Sequence, residues 1–141
     1  MKILAVDYGD ARTGLALCDA GEMLASPIGV IHQWDSDKLL AEIAETAKRE
    51  HAEEIVVGNP LNMDGSAGAR SQLCRDFAAR LGEQSGISVV LWDERSTTVT
   101  ATHYLNVTNT RGQKRKNVVD AVAATIILES YMNYRRMRKE V

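Results

Sequence analysis

The run Ile3-Leu4-Ala5-Val6 is apolar at every position and stops at Asp7. A strand with one wet face alternates apolar and polar residues, so an unbroken run calls for cover on both faces of its sheet. Tyr8-Gly9-Asp10 reads as a turn, and residues 13–18 and 23–31 follow as antiparallel strands. From there the period changes. Leu39, Leu40, Ile43, Ala44 and Ala47 form one face of a helix over 36–50, and 54–57 is a short buried strand. A loop over 58–65 leads to a helix over 66–81 with Leu73, Phe77, Ala78 and Leu81 as its inner stripe. Residues 88–92 make a fifth strand, and helices over 96–105 and 117–134 are joined by a basic loop. Three meandering strands followed by crossovers predict a mixed sheet with helices packed on it. A length of 141 residues suits one domain, 1–141, with no room for two lobes.

Three acids stand out against this frame. Asp7 and Glu94 each close an apolar strand, and strand C-termini are where such sheets bind ligands. Asp120 lies in Val118-Val119-Asp120-Ala121-Val122-Ala123-Ala124, on the helix face shared by Ala123, Ala124 and Ile127. A carboxylate in apolar surroundings is costly unless a partner or a cation stabilises it, so the three together suggest a metal-dependent site. Simpler roles stay open: a turn former at Asp7, a helix-start charge at Glu94, and Asp93 in place of its neighbour as the inward acid. Asn117 lies one turn before Asp120 and could hold a water beside it.

Charge is divided unevenly. Residues 111–141 carry a net +5 and residues 1–110 a net −7. The basic end holds Arg111, Lys114, Arg115 and Lys116, then Arg135, Arg136, Arg138 and Lys139, bracketing the helix of Asp120 as a candidate polyanion surface. Cys18 and Cys74 lack metal or redox spacing and read as buried, reduced thiols. His32, His51 and His103 show no ligand spacing, and Trp34 and Trp92 read as core or surface packing residues rather than base-stacking ones. The apolar N-terminal run is too short for a signal peptide or a membrane span, so a cytoplasmic protein is expected. The glycines of 58–68 lack the GK[ST] ending of a nucleotide-binding P-loop, and a lid beside the site fits them better.

Four segments in order are Ile3-Leu4-Ala5-Val6-Asp7-Tyr8-Gly9-Asp10-Ala11-Arg12-Thr13-Gly14-Leu15-Ala16, Val57-Gly58-Asn59-Pro60-Leu61-Asn62-Met63-Asp64-Gly65-Ser66, Asp93-Glu94-Arg95-Ser96-Thr97-Thr98 and Val119-Asp120-Ala121-Val122-Ala123-Ala124. Together they resemble the YqgF family over nearly the whole chain. Its members are described as Holliday junction resolvases and, more specifically, as pre-16S rRNA nucleases. The resemblance implies an α/β, RNase H-like fold: a five-stranded mixed sheet with helices packed on both faces. It also implies a nuclease whose catalytic and metal-holding residues are Asp7, Glu94 and Asp120. Carboxylates without cysteine or paired histidine suit Mg²⁺ or Mn²⁺. Arg12, Asn59, Thr97, Thr98, Lys114, Arg115, Lys116 and Asn117 are the expected nucleic-acid contacts, with helix capping as the simpler role for the two threonines, an ion pair between strands equally open for Arg12, and a loop without substrate contact open for Asn59.

The leading expectation is 5′-end processing of precursor 16S rRNA. Cleavage of branched DNA is the alternative, and a non-catalytic nucleic-acid-binding or ribosome-assembly module is a third. Ribosomal particles are an open partner, as are the monomer and the homodimer, because resolving a junction needs two symmetric sites. The actin-like ATPase fold has a similar first hairpin but needs a second lobe.

Overall fold

The computed structural model describes residues 1–62, 64–93 and 112–139, with side chains in the last stretch from Ala121 to Arg138. Its strands are β1 (Ile3–Asp7), β2 (Arg12–Cys18), β3 (Ala25–His32), β4 (Glu54–Asn59) and β5 (Ser88–Asp93). They lie in one sheet in the order β3-β2-β1-β4-β5. The first three run antiparallel, with Val6 opposite Leu15, and β1, β4 and β5 run parallel, with Val6 opposite Val57 and Val57 opposite Leu91. The central strand is β1, the unbroken apolar run. Its alternate residues enter two cores: Leu4 and Val6 meet helices α1 (Ser36–Arg49) and α2 (Ala69–Ser85), while Ile3 and Ala5 meet helix α3 (Gly112–Lys139). Both faces are covered, as expected for an RNase H-like fold. Ala5, Ala16 and Ala124 meet in the second core, and small side chains there let α3 lie close over β1, β2 and β3.

Local chemistry sets the element ends. Asp35 caps α1 by accepting from the amides of Asp37 and Lys38 at 2.9 and 3.2 Å. Gly86 ends α2 in the left-handed conformation at φ 70°, which glycine adopts without strain. Strand β3 begins at Ala25 rather than at 23, because the Asp19 carboxylate takes the amides of Met23 and Leu24 at 2.7 and 3.2 Å and so removes them from the ladder. Those same bonds lower the pKa of Asp19.

Several sequence expectations change. Helix α2 spans Ala69–Ser85 rather than 66–81, and Leu73 is exposed. Cys74 takes its place, since it is three, four and seven residues before Phe77, Ala78 and Leu81. From Gly112 on, the basic segment before Asn117 is helical rather than loop. It forms the first turns of α3, which Gln113, Lys114, Arg115 and Lys116 favour as good helix formers with no proline among them. Gly58 belongs to β4, paired with Trp92, so the loop starts after Asn59. The predicted helix over 96–105 lies outside the described residues. No helix among the described residues is long and apolar enough to cross a membrane.

Candidate active site

Asp7 is the last residue of the central strand and is half-buried. Strand alternation assigns its side to the sheet: Val6 and Tyr8 pack with the α1–α2 core, so Asp7 lies on the α3 face. The turn that follows is tight. A Cβ on Gly9 would sit 2.0 Å from the carbonyl oxygen of Arg12, so no other residue fits there. The Gly9 amide donates to the Thr13 hydroxyl at 3.3 Å, and Thr13 itself is fully buried.

Arg70, on the first turn of α2, holds this turn from the other side. Its guanidinium donates to the Tyr8 carbonyl and to the Asp10 carboxylate, the latter at 2.8 Å, and lies 4.8 Å above the Tyr8 ring. That ring stacks on Phe77 with centroids 4.0 Å apart. Sequence reading missed Arg70. The signal was an arginine just past a glycine-rich loop, but the 60 positions between it and Asp10 close only in the tertiary structure.

Helix α3 runs antiparallel to β1. Near its C-terminal end, Tyr131 donates to Glu54, and Glu54 pairs with Ile3 at the start of β1. Asp120 is eleven residues earlier in α3, about 16 Å up the helix at 1.5 Å per residue, and Asp7 is about 13 Å up the strand. The two backbones therefore reach the same end of the sheet. Ala124 and Ile127, one and two turns beyond Asp120, are fully buried against the sheet. The side chain of Asp120 lies outside the described ones, and Glu94, Thr97 and Thr98 lie outside the described residues altogether.

Asp93 ends β5 opposite Asn59 and is exposed. Leu91 packs on the α1–α2 side, so alternation assigns Asp93 to that side and not to the face of Asp7. Asn59 is buried, and its side-chain oxygen accepts from the Ser71 hydroxyl at 2.6 Å, which fixes the start of the loop to α2. The loop is closed by its own bonds, Asn62 amide to Ser66 carbonyl at 2.9 Å and Gly65 amide to Asn62 carbonyl at 2.8 Å, with Gly65 at φ 88°. Met63 lies outside the described residues. Arg12 opens β2, half-buried opposite His32. Lys114, Arg115, Lys116 and Asn117 sit on the first turns of α3, at the Asp7 end of the sheet.

The second basic cluster lies at the opposite end, away from Asp7. Arg135 pairs with Glu22 at 2.7 Å and approaches Glu54 at 4.0 Å. The hydrogen bond to Glu22 raises its pKa and keeps it charged. The adjoining Tyr131 hydroxyl is also raised, first by burial and then by Glu54. No group of three His, Cys, Asp or Glu side chains converges among the described residues. Both cysteines are free and buried, and the Cys18 thiol is raised by burial.

A family model described as Holliday junction resolvase, RuvX, matches residues 1–134. A relative from Carboxydothermus hydrogenoformans, which carries the provisional name pre-16S rRNA nuclease, is 42% identical over 135 residues, covering 96% of this chain and 98% of its own. Another from Halothermothrix orenii, of the same provisional name, is 42% identical over 134 residues, covering 95% and 96%. Among solved structures, RuvC of Thermus thermophilus matches with a TM-score of 0.61 at 14% identity, over 98% of this chain and 97% of that one. At that identity the likeness speaks for the fold.

Proposed function

From the premise that the chain belongs to the RuvX family, the YqgF family of its sequence resemblance, we propose that it is a divalent-metal-dependent endonuclease, acting in the cytoplasm on the 5′ end of precursor 16S rRNA. The observation that carries this reading is the position of Asp7, a half-buried carboxylate at the C-terminal end of the central strand, on the face covered by the helix of Asp120. The names of the relatives support the RNA substrate. The family description supports the second reading, a branched DNA junction.

Asp7, Glu94 and Asp120 would hold the metal. The donor set fits a hard cation: all three are carboxylates, Asp93 belongs to the other face, and the described cysteines are buried elsewhere. When bound there, Mg²⁺ or Mn²⁺ supplies acidity to an attacking water and offsets charge on the phosphoryl and leaving oxygens. The protein's own part is position. The strand and the Gly9 turn hold Asp7, and Arg70 holds the turn. Lys114, Arg115, Lys116 and Asn117, with Arg12, Asn59, Thr97 and Thr98, would line the path of the strand being cut, the cations through its phosphates.

The test incubates the protein with a precursor 16S rRNA fragment and with a four-way DNA junction, in Mn²⁺ or EDTA, beside Asp7→Asn. Metal-dependent RNA cleavage lost in Asp7→Asn is expected. Junction cleavage alone would transfer the activity to DNA, and cleavage unchanged in the variant would remove Asp7 from the site.

A further inference from the structure

At the far end of α3, a cavity of about 260 Å³ is lined by Tyr131, Tyr134, Arg135 and Arg138. We infer that this groove holds an unpaired nucleotide of the substrate strand, with the base stacked on Tyr134 and the phosphate at Arg138. This gives the protein a second nucleic-acid contact, several helical turns from Asp120 along α3; the inference rests on the nuclease reading only for the identity of that strand.

The chemistry of the lining selects the ligand. Trp92 backs the groove, its ring 5.1 Å from Tyr134 and 5.5 Å from Tyr131, and its indole N–H donates to Ser130 at 3.0 Å. The aromatic wall is thus fixed from behind. Tyr131 is buried and Arg135 is neutralised by Glu22 and Glu54, so these two form the rigid floor. Tyr134 stays 41% exposed, a large ring left partly in water at the rim. Arg138 sits 5.6 Å over that ring and donates to its hydroxyl at 3.1 Å. Among the described residues it meets no carboxylate, so its charge is presented outward.

Rings joined to guanidinium groups suit a ligand that is flat and anionic at once, which describes a nucleotide. An acidic peptide would use the cation and leave the rings unused. A duplex would not do, because its bases have no free face to offer to a ring in a groove, whereas single strands stack on such side chains.

Position gives the inference a length scale. Tyr134 and Arg138 lie 14 and 18 residues beyond Asp120 on one continuous helix, about 21 and 27 Å along it. At about 3.4 Å per stacked nucleotide, that span is roughly six to eight nucleotides. A strand shorter than this reaches one contact only, and a longer one is held at both ends of α3.

The experiment measures binding rather than cleavage, by fluorescence anisotropy with labelled single-stranded RNA of four and of twelve nucleotides, in EDTA. The unaltered protein should bind the longer strand roughly tenfold more tightly, the scale of one stacked base. Tyr134→Ala and Arg138→Ala should each remove most of that gain, while Tyr134→Phe, which retains the ring, keeps it. Both positions are exposed, and thermal melts check that the three variants fold. An equal affinity for the two lengths, or a length gain surviving in Tyr134→Ala, overturns the inference. Either outcome leaves the cleavage assay with Asp7→Asn to be judged separately.

Discussion

Replacing Arg70 by alanine tests whether the turn after Asp7 is held from α2 or holds itself. The guanidinium makes three contacts of unequal weight. Its bond to the part-buried Tyr8 carbonyl is charge-assisted and contributes about 1.5 kcal/mol. The pair with Asp10, whose side chain is 77% exposed, is screened and contributes about 0.5 kcal/mol. The guanidinium above the Tyr8 ring adds about 0.5 kcal/mol. Arg70→Ala should therefore cost about 2.5 kcal/mol. At an m-value of about 2 kcal/mol/M, that moves the urea midpoint down by about 1.2 M with the slope unchanged. Arg70→Lys, which retains a point charge but loses the fork and the flat face, should recover less than half of the loss. Urea titration followed by tryptophan fluorescence reads both. The same variants go into the RNA cleavage assay in dilute denaturant-free buffer, where the fraction folded stays high. There Arg70→Ala should lower the rate at saturating substrate more than it weakens binding, since Asp7 loses its support and the phosphate contacts do not. A midpoint shift below about 0.25 M would show that Thr13 and the Gly9 turn suffice. It would refute the clamp.

Further predictions follow from burial and charge. Ile127→Ala, at a fully buried position where α3 meets β1, should cost about 2–5 kcal/mol in chemical denaturation. Tyr131 has its pKa raised above the ordinary 10.0, so the folded state holds that proton more tightly than the unfolded chain. The corresponding stability is complete below pH 10 and is lost as pH rises through the raised value; Tyr131→Phe should flatten this alkaline loss in melts recorded from pH 8 upward. Cys18 and Cys74 should react with a thiol reagent at the rate of unfolding in native buffer and at once in denaturant. Replacing Arg115 and Lys116 together by alanine should reduce the salt slope of single-strand binding by about 1.4, at about 0.7 per phosphate contact, with an unchanged slope returning them to a solvated helix face.

The two-faced burial of β1 was readable in Ile3-Leu4-Ala5-Val6, because a period of two leaves no other account of four apolar residues in a row. The antiparallel start, the parallel crossovers and five strands followed from the spacing of apolar runs and turns. The place of Asp7 at the end of that strand was legible for the same reason, as the first charge after such a run. Helix ends were less so. Polar residues with good helix propensity look like loop in the sequence, and Lys114 to Lys116 joined α3 because that helix gains stability from packing on the sheet far downstream. Leu73 and Cys74 exchanged places for a related reason: both are apolar, and only the azimuth of α2 on the sheet decides which one is covered.

Contacts between distant segments were decided in three dimensions alone. Arg135 and Arg138 read as one basic cluster in the chain, yet Glu22 and Glu54 neutralise the first while the second meets Tyr134. Arg70 was anonymous until α2 brought it to Tyr8 and Asp10. Pattern in a sequence reports what each residue needs from its surroundings, burial or water, because that need is local chemistry. Which partner meets the need depends on chain closure over tens of residues, and that information exists only once the sheet has assembled.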